Sequence, residues 1–520
     1  MNKLHSYLGC AAIFASLTLL ALLPPTATHS QSVQTGQTYI VLYKAQSVPQ
    51  DAASVIANSG GTLVKSYNNI GVAIATSPNG SFRDTLLTDS RVEGASSTAG
   101  FAVRLNQSNA EPDNSPVTNS PSLPASDNDS LSGLQWDMTQ IHAPQAHAIT
   151  GGSPAVVVAN IQTGVDFTHP DIAPNFVFAD SCSCLSGAPD TSPSAYMDAN
   201  GSGTHTAGLI AAASNGIGIV GVAPNVKIAA IKAANDDGFV FPEAIICAFM
   251  WAAEHHVDVA NNSYYADPWL FNCRNDANQR AIWQAEQRAI KYAMNQGVTV
   301  VAAIGNQSDD LAHPQVDPTS PDFPPGSAEL RDVNNACLVI PVEIPGVIGV
   351  SANGNGAQSP NGFLKSFYSN YGLGVADLVA PGGDSIFGLT AAAPNGRILS
   401  TWPASLLNVT CLPARRVVDP SGATYCYQQG TTFAAPHVAG VAALIISQLG
   451  NLNEQPKLQP ARVSSLLTGS ADAQPCPASL PSGYATFTRL SGDQQNCQGG
   501  PSRNSWYGAG QVNAFKAVSP

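Results

Sequence analysis

At 520 residues, with 11% charged side chains and a net charge of −13, the chain is long enough for more than one domain. It is also too acidic, and too poor in basic runs, for nucleic acid or an anionic membrane surface to be the expected partner. A chain this sparsely charged must build its polar surface from Asn, Ser, Gln and Thr.

Residues 1–30 read as a secretory signal. Lys3 gives a positive start, Leu8 to Leu23 an apolar run, and Pro24 to Ser30 a tail of small and turn-forming residues. The mature chain is therefore expected outside the cytoplasm, secreted or periplasmic. No later stretch reads as long and apolar enough to cross a bilayer, so no membrane anchor is expected. Of the ten cysteines, Cys10 falls in the signal and the odd number left over is expected to pair as far as it can. Cys411 with Cys426 and Cys476 with Cys497 are the natural local pairs. Cys182, Cys184, Cys247, Cys273 and Cys337 cannot be assigned, and at least one thiol stays free.

From residue 38 to 105 the pattern reads strand, helix, two strands, helix, strand: YIVLYKA, QDAASVIANSGG, TLVKSYNNIGVAIATSP, SFRDTLLTDS, VEGASSTAGFAV. This βαββαβ order suits a small ferredoxin-like α+β unit. Residues 106–133 are nearly all Asn, Ser, Pro, Asp and Gly and read as a flexible linker. From 134 to 473 buried strands alternate with amphipathic helices. AVVVANI, KIAAIKA, VDVANNSYY and VTVVAAIGN are strands; PEAIICAFMWAAEHH and QRAIWQAEQRAIKYAMNQG are helices, the second ended by Gly297. Such alternation means an α/β fold with a mostly parallel sheet covered by helices on both faces. Residues 474–520 are loop-like, and the closing YGAGQVNAFKAV is expected to dock back on the domain.

One stretch organises the rest: GTTFAAPHVAGVAALI, Gly430 to Ile445. A glycine turn leads into an Ala/Val-rich helix with the Thr432 hydroxyl at the junction, a way of exposing a nucleophile in front of a buried helix. The segment resembles the GTSMAAPHVAG segment of the subtilases, the subtilisin-like serine peptidases, and the likeness extends over 134–473. The resemblance implies a subtilisin-like fold, and it makes residues 38–105 similar to the inhibitor-type propeptide that precedes many subtilase domains.

The subtilase triad runs Asp, His, Ser along the chain. Here the aspartate position, at the end of VVVANIQTGVD, is Gln162. The histidine position, in SGTHTAG, is Ser202, and the serine position is Thr432. A base must titrate near neutrality to take the hydroxyl proton, and serine cannot. Glutamine carries no charge to steady an imidazole, and the extra methyl of threonine restricts its rotamer and crowds attack. Losing such a triad costs about 10⁶ in turnover, so no useful peptidase activity is expected. The alternative is an active secreted endopeptidase that uses Thr432 or relocated residues, for which Asp166, His169 and His205 are the nearest candidates in sequence.

Other parts of the family's machinery have counterparts. Asn306, ending AAIGN, matches the oxyanion-hole asparagine. Asn262, Ser263 and Tyr264, in NNSYY, match the strand whose edge pairs with extended substrate, and strand addition needs only backbone groups. Asp171 and Asn215 match two oxygen ligands of a structural calcium site. The expected partner is an extended peptide or the chain's own propeptide.

Overall fold

The computed structural model describes residues 36–98, 103–104, 128–264, 269–322, 324–358, 363–386, 390, 393, 395–480 and 484–519. The expected secretory signal and most of the expected linker lie outside these residues.

The first unit is a four-stranded antiparallel sheet in the order β2-β3-β1-β4. Its elements are β1 (Gln37–Tyr43), α1 (Ala52–Asn58), β2 (Thr62–Tyr67), β3 (Val72–Ser77), α2 (Phe82–Leu86) and β4 (Val92–Ser97). One face covers both helices around Tyr39, Val41, Ile56, Phe82 and Leu86. The other face carries Ile40, Leu42, Val72 and Ile74 into the core of the larger domain. This alternation along β1 is what a sheet buried on two faces by different partners requires. A short strand β5 (Val103–Arg104) follows.

The larger domain begins with α3 (Trp136–Gln140) and α4 (Ala143–His147). Then come β6 (Val157–Gln162), β7 (Cys182–Ser183), α5 (Ser202–Ala211), β8 (Lys227–Lys232), β9 (Phe239–Val240), α6 (Pro242–Glu254) and β10 (Val259–Asn262). A two-stranded ribbon of β11 (Asn272–Cys273) with β15 (Cys337–Leu338) brackets α7 (Ala277–Asn295), β12 (Thr299–Ala303) and a second ribbon, β13 (Val316–Asp317) with β14 (Arg331–Asp332). Next are β16 (Ile348–Asn353), β17 (Leu378–Pro381), β18 (Ile398–Thr401), β19 (Arg416–Val418), β20 (Thr424–Gln428), α8 (Thr431–Leu449), α9 (Pro460–Gly469) and, near the C-terminus, α10 (Ala514–Val518). Seven strands form the central sheet in the order β17-β16-β12-β10-β6-β8-β7, and every pair in it is parallel. Its inner strands are buried on both faces, which is why they read as continuous apolar runs.

Helix α8 lies beneath this sheet and is buried from Thr431 to Ile446. Contrary to the reading of the sequence, α8 is long and apolar enough to cross a membrane by length and composition, with mean hydropathy 1.5. Its apolar surface is instead spent on the sheet and on α5, with 83% of it buried inside the fold. A core helix and a spanning helix share that composition.

Helices α6 and α7 cover the other face and present the surface on which the N-terminal sheet docks. The Asp276 carboxylate caps α7 by accepting from the Asn278 and Gln279 N–H groups. Arg288 on α7 donates to the Tyr43 and Ile70 carbonyls at 2.9 and 3.2 Å and pairs with Glu93 at 2.7 Å. Ser96 donates to the Asn278 carbonyl, and the Tyr67 hydroxyl to the Gly187 carbonyl at 2.6 Å. At Gly94 the two backbones come so close that a Cβ would stand 2.9 Å from the Ala281 methyl. Only glycine fits there.

The end of the expected linker is folded, not flexible. Asp129 is buried, accepting from the Asn215 and Gly216 N–H groups, and Ser130 bonds Asp419. Composition alone could not reveal that these polar side chains find backbone donors in the 215–218 loop. At the other end, α10 packs on α4 and α8, and the Ala514 N–H reaches the Ile141 carbonyl at 2.8 Å. Four disulfides form: Cys184–Cys247, Cys273–Cys337, Cys411–Cys426 and Cys476–Cys497. Cys182 is a buried free thiol, 3.8 Å from the Cys184 sulfur.

Candidate functional site: a triad frame without charges

Three element ends meet at the site. Gln162 is the last residue of β6, Ser202 the first of α5, and Thr432 lies in the first turn of α8. The His205 and Phe433 rings, 4.4 Å between centroids, hold the heads of the two helices together. Gln162 donates from Nε2 to the Ser263 carbonyl at 2.9 Å and approaches the Ser202 hydroxyl at 3.5 Å, the outer limit of a hydrogen bond. Its Oε1 is buried with no partner. Ser202 and Thr432 are 2% and 8% exposed, so little of either reaches solvent.

The sequence candidates for a relocated base are placed elsewhere. His205 is fully buried, with Nε2 donating to the Cys426 and Ile398 carbonyls at 3.0 and 3.3 Å. Burial pushes its pKa down to about 3, against the opposing pull of those carbonyls. His169 donates to the Thr424 carbonyl, and burial likewise lowers its pKa. Asp166 accepts from the Thr168 N–H and hydroxyl. His437 on α8 is spent between the Phe433 carbonyl and the Asp137 carboxylate at 2.8 and 2.9 Å. Among the described residues, none of these imidazoles is hydrogen-bonded to Thr432.

Asn306 stands at the turn after β12. Its Oδ1 accepts from the Thr431 N–H at 2.9 Å and the Thr431 hydroxyl at 3.0 Å, which turns the amide NH₂ the other way. The turn is fixed from behind by Asn370, whose Oδ1 takes the Gln307 and Asp309 N–H groups. Thr431 as the orienting partner was not legible in the sequence, since a threonine at a helix start has many uses.

The peptide-edge assignment needs correction at Asn262. β10 is an interior strand, paired at Asn262 with both Ile161 of β6 and Ala302 of β12, so no edge is open there. The Asn262 side chain bonds the Ala260 and Val301 carbonyls and receives the Tyr264 hydroxyl at 2.9 Å. Beyond Asn262 the Ser263 carbonyl accepts from Gln162 Nε2, and the Tyr264 side chain is buried. A second edge was missed: β9, where Val240 and Phe239 pair antiparallel with Val103 and Arg104 of β5. Two-residue strands leave no periodicity to detect.

Asp171 and Asn215 are neighbours at the 215–219 loop. Asp171 Oδ2 accepts from the Tyr425 hydroxyl at 2.7 Å and the Ile219 N–H at 3.2 Å, while Oδ1 is buried without a partner. Burial raises this carboxyl to about 7, against those two donors. Asn215 Oδ1 accepts from the Ile217 N–H. An orphaned buried carboxylate oxygen suits a hard cation, although calcium takes about six to eight oxygens, so loop carbonyls would have to supply most of them. Among the described residues no group of three or more His, Cys, Asp or Glu side chains converges on a metal position.

A parallel seven-stranded sheet with a nucleophile position at the head of its central buried helix, and an amide aimed beside it, defines a serine-hydrolase scaffold of the subtilisin type. The subtilase family model matches residues 153–510, and the chain belongs to that family. It is 32% identical over 321 residues to the thermophilic serine proteinase of Bacillus sp. (strain AK1), covering 61% of this chain and 58% of that one. It is 28% identical over 347 residues to fervidolysin of Fervidobacterium pennivorans, covering 66% and 41%. With subtilisin BL of Lederbergia lenta it shares 31% over 314 residues, 60% of this chain and 84% of the other. The chain thus spans about half the length of the first two relatives. Among solved structures, crystalline fervidolysin matches with TM-score 0.63 at 23% identity, over 93% of this chain and 61% of that one. The epidermin leader peptide processing serine protease of Staphylococcus aureus matches with TM-score 0.63 at 21% identity, over 93% and 98%. At those identities the likeness is one of fold.

Proposed function

We propose that this chain is a proteolytically inactive, exported subtilase homologue that holds an extended peptide in a groove it does not cut. The observation that carries the reading is that, among the described residues, no base is hydrogen-bonded to Thr432. The neighbouring positions are Gln162 and Ser202, and the buried histidines are all committed to carbonyls or to Asp137. A threonine hydroxyl without a base is a poor nucleophile. The four disulfides favour an oxidising compartment.

The pairing of β5 with β9 supports strand addition as the binding mode, with the chain's own propeptide as its first occupant. Active relatives of this architecture are expected to cut that connection themselves; a chain without chemistry keeps it. Structural calcium is assigned in this reading to Asp171 Oδ1 and Asn215, where it would neutralise the orphaned carboxylate and pin the loop. The test is the intact mass of the exported protein before and after a fluorophosphonate probe. One uncleaved chain without adduct is expected; a probe adduct on Thr432 or Ser202 overturns the proposal.

A further inference from the structure

Helix α6 begins beneath the N-terminal sheet, and its second residue is an acid. Glu243 is 5% exposed. Thr98, just beyond β4, hydrogen-bonds its carboxyl, and Oε2 has no partner among the described residues. The corner is tightly closed at Gly187, where a Cβ would stand 2.9 Å from the Ile74 side chain of β3 and 3.1 Å from Cβ of Glu243. The acid therefore lies between the two units, with α6 and the 184–187 turn on one side and β3 and Thr98 on the other. A carboxylate enclosed in this way needs a cation or several donors, or it takes up a proton instead.

The charged and titratable side chains of the surrounding elements have other partners or face solvent. On the N-terminal unit, β3 carries none, the Tyr67 hydroxyl of β2 donates to the Gly187 carbonyl, Lys65 lies over the Tyr67 ring, and Glu93 of β4 pairs with Arg288. On the larger domain, Asp190 accepts from Ser192, Asp236 ahead of β9 pairs with Lys232, and Asp180 faces His255 beyond the far end of α6. Asp237 and Glu254 are exposed. Cys182 is a buried thiol in the apolar cluster that also holds Ile40 and Ile74. Residues 36–98 contain no histidine, so no imidazole of the sheet titrates against this corner. Burial raises the Glu243 carboxyl to about 7, against the pull of its own N–H and of Thr98, whereas the same group in water ionises near 4.5.

We propose that Glu243 is a proton-operated latch between the N-terminal unit and the larger domain: the protonated acid accepts the docked sheet as its cover, and ionisation favours a state in which the sheet has lifted from α6. The lifted state binds one proton fewer, so docking is tightest in acid. Between the ordinary and the raised carboxyl values each pH unit weakens it about tenfold, and above the raised value both states are ionised and the loss levels off. The consequence reaches the β9 edge. β5, which pairs there, follows Thr98 closely in the chain, so lifting the sheet loosens β5 from Phe239 and Val240 as well. Neutral medium then clears that edge and acid keeps it covered, whether or not the site can cut a peptide.

The test uses the full exported chain and its own thiol. Cys182 shares its apolar cluster with Ile40 and Ile74, so lifting the sheet should expose it to N-ethylmaleimide. The labelling rate, measured where it is first order in reagent, is compared at each pH with that of Glu243→Gln, which keeps a hydrogen-bonding side chain but cannot ionise. Taking the ratio of wild type to variant cancels the titration of the thiol itself. That ratio is expected to rise by about 50-fold between pH 5 and pH 8, most of it below pH 7. Arg288→Ala, which loosens the same interface without removing an acid, should speed labelling and leave the pH slope in place. A ratio that stays flat or falls overturns the latch, and so does loss of the slope in Arg288→Ala. Should Glu243→Gln not fold, amide exchange of β1 to β4 in the wild type, normalised to the intrinsic rate, reads the same equilibrium. Protection that drops as pH rises from 5 to 7 supports the latch, and constant protection overturns it.

Discussion

Rebuilding the triad is the sharpest probe of the site: Gln162→Asp, Ser202→His and Thr432→Ser together. The geometry predicts that the frame accepts it. Aspartate is one bond shorter than glutamine, and an imidazole nitrogen stands one bond further out than a serine hydroxyl. The 3.5 Å now separating Gln162 Nε2 from Ser202 Oγ is therefore largely conserved as a carboxylate–imidazole contact. Thr432→Ser removes only a methyl. In subtilisin, whose triad residues act as a unit, losing the nucleophile or base alone costs about as much as losing all three, about 10⁶ in turnover. Single substitutions here, and doubles that lack the histidine or the serine, should accordingly stay at background, while Ser202→His with Thr432→Ser, lacking only the carboxylate, should rise by at most roughly 10². The triple variant should gain up to about 10⁶, roughly 8 kcal/mol of barrier. Turnover of a peptide p-nitroanilide, with fluorophosphonate titration to count sites, measures it, and self-cleavage of the connection to the propeptide should appear alongside. Hydrolysis by the unaltered chain that Thr432→Val abolishes would refute the reasoning. So would a correctly folded triple variant that stays at background.

Arg288→Ala should loosen the N-terminal sheet by about 2 kcal/mol, the scale of an arginine anchor, seen as faster proteolytic loss of residues 36–98 with the larger domain intact. His205, with its pKa held near 3 against about 6.5 unfolded, is protonated first in the unfolded chain. It therefore contributes stability above pH 6.5 that is lost as pH falls toward 3. Buried Asp171, Glu243 and Asp384, raised to about 7, act in the opposite sense: their contribution is present below about pH 4 and lost as pH rises through 7. The difference in Tm between the wild type and His205→Gln should thus be largest at pH 7 and shrink by pH 4; a difference that grows on acidification refutes the assignment. Calcium should raise Tm relative to chelator, and Asp171→Asn should erase that rise without lowering Tm in chelator.

The sequence was most informative where burial is continuous. The apolar runs of β6, β8, β10 and β12 and the amphipathic α7 announce the parallel sheet, because a strand covered on both faces has no polar side to show. The places of Gln162, Ser202 and Thr432 were equally plain, since each lies where an element ends or opens at a recognisable turn. Long-range polar satisfaction was hidden. Asp129 and Ser130 look like linker because their partners lie some 86 to 289 residues away. Thr431 looks like any helix start until Asn306 is placed beside it. Cys411–Cys426 and Cys476–Cys497 close short loops, whereas Cys184–Cys247 and Cys273–Cys337 span 63 and 64 residues and follow only from the packing of α6 and the β11–β15 ribbon.

Cys182 and Cys184 sit two residues apart with sulfurs in contact, and Cys247 is bonded to the second. During oxidative folding these thiols compete before the sheet is complete, and once β7 is buried the raised pKa of Cys182 removes the thiolate needed to correct an error. The choice must therefore be made early. A producing host without disulfide-isomerase activity should trap a fraction of chains with the wrong sulfur joined to Cys247. Cys182→Ser offers a direct way to raise the yield of homogeneous protein.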